Sequence, residues 1–172
     1  MKQVFLSSIL GFLVTLSAFS QWEEQSSGTT ARLMSVEFIN GSEGWAVGWP
    51  GFNNGVILHT DNGGMNWNAQ QSGTQNDLWS VSFVNDSTGW IVGEIGTILH
   101  TSDGGGTWSQ QGSLIQNLRG VHFVDTAQGW AVGDFGAIYH TSDGGTSWTN
   151  QHGGTYEQLL DVHFPDTSHG WA

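Results

Sequence analysis

The chain has 172 residues, no cysteine, 26 glycines, only 10% charged residues and a formal net charge of −12. A chain this acidic repels phosphate backbones and anionic membrane surfaces, which argues against a nucleic-acid partner. The absence of cysteine excludes disulfides, thiolate metal sites and a cysteine nucleophile.

The first 20 residues have the features of a secretory leader. An apolar run follows Lys2, and the small residues Ala18 and Ser20 suit cleavage after Ser20. A membrane anchor is the alternative, but the run is short for a span of about 20 residues and no basic cluster follows it. We therefore predict a signal peptide at residues 1–20 and an exported chain, secreted or periplasmic, that does not insert into the membrane.

After the leader, tryptophan recurs in two columns. One column follows glycine, at Trp45, Trp90, Trp130 and Trp171, with intervals of 45, 40 and 41 residues. The other closes a glycine-rich turn, at Trp67, Trp108 and Trp148. A period of about 40 residues indicates a repeat architecture, in which each unit needs its neighbours to bury its faces.

Each unit contains four short strand patterns, as in "LWSVSFV", "GWIVG", "GTILHT" and "WSQQ", and no helical period. Four strands in about 40 residues match one propeller blade. We therefore predict an all-β fold, a partial β-propeller over residues 21–172 with four-stranded antiparallel blades at about residues 33–71, 78–111 and 118–151. Residues 22–25 are predicted to form a lone fourth strand. Residues 159–172 are predicted to start a further blade, with its first strand at 159–165.

The propeller is expected to be incomplete. Propellers typically close with about 4–8 blades, and only three whole units can be read in this sequence. We therefore expect further repeats downstream of Ala172, at intervals of about 40 residues.

An eight-residue turn ends at each tryptophan of the second column. The turn that ends at Trp108 resembles the Asp box, whose pattern is Ser/Thr-x-Asp-x-Gly-x-Thr-Trp. A short carboxylate can accept backbone N–H bonds in such a turn, and Gly supplies positive φ. We interpret all three boxes as structural; they comprise Thr60, Asn62, Gly64 and Trp67; Thr101, Asp103, Gly105, Thr107 and Trp108; and Thr141, Asp143, Gly145, Ser147 and Trp148.

Other sites built from these turns fit less well. A calcium loop needs several oxygen ligands and a Glu near its twelfth position, whereas the turn at Asp103 supplies one carboxylate. A phosphate cradle needs a Lys and a following helix, and no Lys remains after the leader. The sequence therefore predicts no metal, no cofactor and no catalytic residue.

Histidine also falls into columns. His59, His100 and His140 share one position of the repeat and raise the hypothesis of a zinc site. Equivalent positions in successive blades are spread around the propeller axis, too far apart for one ion. We interpret these histidines as strand residues, and likewise the column that contains Glu37, Ser82, His122 and His163.

Four residues stand outside these explanations. Trp49 and Trp79 belong to neither tryptophan column, so we predict them as contact residues for a partner. Glu94 and Asp134 follow the Val-Gly pairs, apart from the columns of acidic turn residues. Glycosidases use paired carboxylates across a cleft, and these two are the acids that such a role would involve, but we do not assign them as catalytic.

The order of motifs is similar to that of a known family. The stretch "SVSFVNDSTGWIVGEIGTILHTSDGGGTW" resembles the repeats of the photosystem II stability/assembly factor family, with Phe-x₅-Gly-Trp-x-Val-Gly, Gly-x-Ile-x-x-Thr and an Asp box. The residues that carry the resemblance are Phe38, Phe83, Phe123 and Phe164, the Gly-Trp pairs, and Ile57, Ile98 and Ile138. The resemblance implies a seven-bladed propeller that binds newly made reaction-centre subunits.

Two hypotheses of function remain. The first is an exported, non-catalytic interaction module whose loops bind a protein or a cell-surface component. The alternative is a fragment of an Asp-box glycoside hydrolase, sialidase-like or xyloglucanase-like. Sialidases hold their substrate carboxylate with three Arg, and this chain has two, so the part present is not a complete sialidase.

Overall fold

The computed structural model describes residues 24–51 and 55–172. In these ranges the chain forms twelve strands in three four-stranded antiparallel sheets, and successive strands pair as hairpins. Two three-residue 3₁₀ turns, Glu94–Gly96 and Asp134–Gly136, are the only helical segments in these ranges. No helix among the described residues is long and apolar enough to span a membrane. The predicted all-β fold is confirmed.

Each sheet is one unit of the sequence repeat. The first sheet contains β1 to β4, at Arg32–Phe38, Gly44–Trp49, Val56–Thr60 and Asn68–Gln70. The second contains β5 to β8, at Leu78–Phe83, Gly89–Gly93, Ile98–Thr101 and Ser109–Gln110. The third contains β9 to β12, at Leu118–Phe123, Gly129–Gly133, Ile138–Thr141 and Thr149–Asn150.

The Gly of each Gly-Trp pair makes room for an aromatic ring. Gly89 pairs with Phe83 across β5 and β6, and a Cβ on Gly89 would lie 2.6 Å from the Phe83 ring. The same crowding occurs between Gly44 and Phe38. The phenylalanine can therefore lie flat over the neighbouring strand only because the facing residue lacks a side chain.

Aromatic stacks join one sheet to the next. Phe83 of the second sheet stacks on Trp45 of the first, with ring centroids 3.6 Å apart, and meets the edge of Trp108 at 6.0 Å. Phe123 stacks in the same way on Trp90 at 3.5 Å. The apolar core lies between sheets, because one cluster combines Trp45, Val47 and Ile57 with Leu78, Val81 and Phe83. Each sheet therefore buries its face against a neighbour, as a propeller blade does.

The first strands of successive sheets are also joined by side-chain to backbone hydrogen bonds. Glu37 Oε2 accepts a bond from the Phe83 N–H (2.7 Å), and Ser82 Oγ accepts one from the Phe123 N–H (3.1 Å). His122 Nε2 donates to the Phe164 carbonyl (2.8 Å). The sequence pattern predicts ordinary strand residues in this column, whereas in the structure Glu37, Ser82 and His122 connect neighbouring repeat units.

The predicted strands at the two ends of the repeat array differ in the structure. Residues 22 and 23 lie outside the described residues, and Glu24 and Gln25 are in no strand. Gln25 Nε2 nevertheless donates to the Gly63 carbonyl (3.3 Å), much as Gln70 Nε2 donates to Gly104 (3.0 Å). In place of the strand predicted at 159–165 there is one bridge, His163 with Trp171.

We expect the Glu37 link to make stability depend on pH. Burial raises the pKa of Glu37 from 4.5 to about 7. The folded state therefore holds this proton more tightly than the unfolded state, and stability is fully present below pH 4.5 and lost as pH rises through about 7. Glu37→Gln should match the wild type at acidic pH and exceed its free energy of unfolding above pH 7.

Urea unfolding of both proteins across this pH range is the measurement. Glu37→Ser is the matched control, since serine holds the same column position in the next blade at Ser82. It also removes the titrating carboxyl group, so its free energy of unfolding should lack the pH dependence expected of the wild type. A difference between wild type and Glu37→Gln that does not change with pH would show that Glu37 titrates normally in the folded protein.

Candidate functional site

The sheets have two rims with different structures. On the Asp-box rim, each box meets the turn between the first and second strands, as where the Gly104 N–H donates to the Ser87 carbonyl (2.8 Å). On the opposite rim, here called the linker rim, the 3₁₀ turns meet the links between sheets. There the Glu94 N–H donates to the Asp77 carbonyl (2.9 Å).

The second Asp box is closed by its own side chains. Asp103 Oδ1 accepts bonds from the Thr107 N–H (2.8 Å) and from Thr101 Oγ1 (2.8 Å), and Asp103 Oδ2 accepts one from Thr107 Oγ1 (2.8 Å). The backbone N–H of Thr107 is the main cause that lowers the pKa of Asp103. Gly104 and Gly105 have positive φ, 69° and 88°. Both carboxylate oxygens are therefore engaged within the turn.

The other two boxes repeat this arrangement. Asp143 Oδ1 accepts from the Ser147 N–H (2.9 Å) and Asp143 Oδ2 from Ser147 Oγ (2.6 Å). Asn62 Oδ1 accepts from the Asn66 N–H (3.0 Å) and from Thr60 Oγ1 (2.9 Å). The amide thus replaces the carboxylate as the acceptor of the backbone bond in the first box.

The boxes also hold the preceding blade. Trp45 Nε1 donates to the Gly104 carbonyl (3.2 Å) in the second box, and Trp90 Nε1 donates to the Gly144 carbonyl (3.0 Å) in the third. The box tryptophans Trp67, Trp108 and Trp148 lie edge-on to the phenylalanines of their own blades. The Asp-box rim is therefore engaged in joining blades.

We expect substitution of Asp103 to weaken the second box. Asp103→Ala leaves the Thr107 N–H without its acceptor and should lower the midpoint of urea unfolding. Asp103→Asn keeps that acceptor, as Asn62 does in the first box, and should lower the midpoint less. Equal midpoints for the alanine variant and the wild type would contradict a structural role for this carboxylate.

Two exposed apolar residues of the linker rim have a left-handed backbone conformation. Ile95 and Phe135 occupy equivalent positions in the two 3₁₀ turns and have positive φ, 53° and 60°. The left-handed conformation costs a non-glycine residue about 1–2 kcal/mol. Their side chains recover little of this by packing, because they are 59% and 77% exposed. Neither residue is predicted as a site from the sequence, although "EIG" and "DFG" place a bulky apolar residue before glycine in two successive repeats.

The links between sheets add two more apolar side chains to this rim. Ile115 and Tyr156 are 78% and 90% exposed. Gly96 packs against the backbone of Leu114 and Ile115, and Gly136 packs against Thr155. Ile95 therefore adjoins the link after the second sheet, which carries Ile115, and Phe135 adjoins the segment after the third sheet, which carries Tyr156. The latter two line a cleft of about 360 Å³.

Trp79, predicted as a contact residue, forms part of a charged stack at the linker rim. The Arg119 guanidinium lies over the Trp79 ring, 3.8 Å from its centroid. Arg119 Nε donates to Asp134 Oδ1 (3.0 Å), and Asn117 Nδ2 donates to Asp134 Oδ2 (2.8 Å). The Arg119 bond is the main cause that lowers the pKa of Asp134 to about 2. Trp79 and Arg119 both stand where their strand shifts register, so a bulge presents each side chain.

The other predicted site residues, Trp49, Glu94 and Asp134, lie in different environments. Trp49 is partly buried, with the Arg32 guanidinium 5.8 Å from its ring centroid. Glu94 lies near Asp77, whose pKa is raised by burial and by the Glu94 charge. Asp134 is bound by three neighbouring side chains, whereas Glu94 forms no salt bridge among the described residues. The two acids are thus in unlike environments.

The histidines of the first column support the Gly-Trp tryptophans. His59, His100 and His140 each lie against the tryptophan of their own blade, with ring centroids 4.8–5.1 Å apart. His59 Nε2 also donates to Glu43 Oε2 (2.8 Å). Within residues 24–51 and 55–172, no group of three or more His, Asp or Glu side chains is placed to hold a metal ion.

Antiparallel four-stranded blades, interblade Trp–Phe stacks and repeated Asp boxes together define an Asp-box β-propeller segment. The family model described as Photosynthesis system II assembly factor YCF48 matches residues 14–156. The chain belongs to this family. A comparison with curated protein sequences gives no significant match.

Solved structures agree with the family. A structure described as YCF48 bound to D1 peptide is 32% identical, with a TM-score of 0.67 over 77% of this chain and 43% of that one. YCF48 from Cyanidioschyzon merolae is 25% identical, with a TM-score of 0.64 over 76% of this chain and 43% of that one. A structure described as an ancestral GH74 enzyme is 15% identical, with a TM-score of 0.53 over 68% of this chain and 18% of that one. This likeness shows the fold alone. The chain spans less than half the length of each of these structures.

Proposed function

We propose that the chain is an exported, non-catalytic β-propeller module that binds a protein partner through its linker rim. The observation that carries the proposal is the exposure of Ile95 and Phe135, at equivalent positions of two blades. Both residues have positive φ, a backbone conformation that costs a non-glycine residue free energy. Strained positions that are not buried are commonly retained for binding or switching. The solved relative described as YCF48 bound to D1 peptide supports a protein or peptide partner.

The non-catalytic part of the proposal rests on the acids of the linker rim. A glycosidase acid needs a raised pKa and free access to substrate. Asp134 has a pKa of about 2, and its oxygens accept bonds from Arg119, Asn117 and Gln158. It is therefore ionised at neutral pH and unsuited to donate a proton. The second role, that of base or nucleophile, needs a carboxylate oxygen free to reach substrate, whereas both Asp134 oxygens already accept bonds from side chains.

Glycan hydrolysis assays test this part against the glycoside hydrolase alternative. We expect no turnover of xyloglucan or sialylated substrates by the full chain. Turnover that Glu94→Gln or Asp134→Asn abolishes would establish the hydrolase. A second pair, Asp125→Asn and Asp166→Asn, controls for nonspecific loss, because both aspartates cap turns through backbone N–H bonds. Asp166 also pairs with the neighbouring His169 side chain (3.3 Å).

Export is proposed from the leader alone. The apolar run after Lys2 and the small residues before Gln21 support cleavage after Ser20. Expression of the full chain in a secreting bacterial host, followed by N-terminal sequencing, should give Gln21 as the first residue. Retention of Met1 in the purified protein would refute the proposal of export by a cleaved leader.

Partner capture tests the binding part. The full chain is immobilised and exposed to extracellular fractions, with the double variant Ile95→Asn/Phe135→Asn beside it. We expect a protein that is retained by the wild type and lost by the variant. Retention of a polysaccharide instead would indicate a cell-surface component, and retention of any partner equally by both proteins would move the site away from this rim.

A further inference from the structure

We propose that the linker rim of the second and third blades binds an extended peptide that carries a basic side chain next to bulky apolar ones. The inference rests on the proposed function and specifies its partner. Two independent features carry it, an apolar surface repeated at the blade period and an acidic position that lacks an internal cation.

The apolar surface consists of two pairs. Ile95 with Ile115 and Phe135 with Tyr156 lie on adjoining segments, and all four side chains are mostly exposed. The second pair opens into the cleft of about 360 Å³. A partner that touches both pairs must cross from one blade to the next, which an extended chain with alternating side chains can do.

The charge of the partner follows from a difference between the two blades. In the third blade, Asp134 is neutralised by Arg119, which stacks on Trp79. In the second blade, Glu94 takes the position of Asp134, while Trp79 itself takes the position of Arg119. Among residues 24–51 and 55–172, no cation therefore stands at the corresponding place beside Glu94.

A second acidic residue, Asp77, lies near Glu94. The Glu94 N–H donates to the Asp77 carbonyl (2.9 Å), and the Glu94 charge contributes to the raised pKa of Asp77. Neither side chain forms a salt bridge with any described residue. A basic group from a partner would relieve this repulsion next to the exposed Ile95, whereas an acidic peptide or an anionic membrane would be repelled.

Selection from random peptides displayed on phage tests the proposal without a known ligand. The full chain is the bait, and the enriched peptides are then synthesised and titrated by fluorescence anisotropy. We expect enriched peptides in which Lys or Arg adjoins a bulky apolar residue. Their affinity should fall as salt rises, because opposite charges attract less when screened.

Three variants localise the binding. Ile95→Asn/Phe135→Asn should weaken it at least about tenfold, and Asn tolerates the left-handed backbone, so the fold is retained. Asp77→Asn/Glu94→Gln should weaken it about tenfold and flatten the salt dependence. Met65→Ser removes an exposed apolar side chain from the Asp-box rim and should change nothing.

Several outcomes would overturn the inference. Enrichment of acidic peptides would show that the partner carries the opposite charge to the one proposed. Binding unchanged in either double variant would mean that the substituted residues do not contact the peptide. Enrichment of acidic peptides, or binding unchanged in Asp77→Asn/Glu94→Gln alone, would leave the proposed function standing, since a peptide is still bound at this rim. Binding unchanged in Ile95→Asn/Phe135→Asn would also contradict the proposed role of the linker rim. If no peptide is enriched while the partner-capture experiment retains a protein, the extended-peptide inference fails alone; if neither binds, the proposed function fails with it.

Discussion

Phe83→Ala should reduce the free energy of unfolding by about 3–5 kcal/mol, the usual cost of removing a buried phenylalanine ring. Phe83 lies between two tryptophans, stacked on Trp45 at 3.6 Å and edge-on to Trp108 at 6.0 Å. The substitution opens a void between the first and second blades, and neither tryptophan can fill it without losing its own contacts. Urea unfolding followed by tryptophan fluorescence is the measurement.

Phe135→Ala is the matched control for this prediction. It removes the same ring from an exposed position on the linker rim, so its effect on the free energy of unfolding should stay within about 0.5 kcal/mol. Similar losses for the two variants would mean that the interblade stack does not carry the stability we assign to it. If Phe83→Ala fails to fold at all, Phe83→Leu should give an intermediate loss.

Gly93→Ala should prevent cooperative folding of the second blade or cost more than about 4 kcal/mol, a loss reserved for severe core defects. Gly93 ends β6, and a Cβ there would overlap the carbonyl oxygen of Asp77. That carbonyl accepts the Glu94 N–H (2.9 Å), so relief of the clash must break the contact between the 3₁₀ turn and the link from the first sheet. Circular dichroism and the urea midpoint check this expectation.

A glycine on the other rim provides the control for Gly93. Gly41 lies in the turn after β1, where an added Cβ would meet nothing within 4 Å. Gly41→Ala should therefore leave the urea midpoint nearly unchanged. A stable, cooperative Gly93→Ala variant would contradict the tight approach of strand and link in this structure.

Residues that perform the same task in every blade could be predicted from the sequence. The Gly-Trp and Asp-box columns recur because each interface uses the same parts, as where Trp45 stacks on Phe83 and Trp90 on Phe123. The repetition reveals both the unit and its strand order. The Asp-box turn was equally readable, because its bonds join residues two to four positions apart.

Features that depend on neighbouring blades could not be read in this way. Glu37, Ser82 and His122 share a position but differ in chemistry, so the sequence did not show that each one bonds to the next blade. The left-handed backbone of Ile95 is held by Asn117 Oδ1, which accepts the Ile95 N–H (3.0 Å) from 22 positions away. Such contacts follow only once the blades are placed side by side.

The central claim is that the Asp-box rim joins blades while the linker rim binds the partner. Hydrogen exchange of the full chain, measured by mass spectrometry with and without the peptide of highest affinity, tests it most directly. We predict slower exchange at residues 93–97, 111–117, 133–137 and 151–158, where bound peptide would cover the backbone. The Asp boxes at 60–67, 101–108 and 141–148 should exchange at unchanged rates. Slowing confined to the Asp boxes, with the linker rim unaffected, would contradict the account.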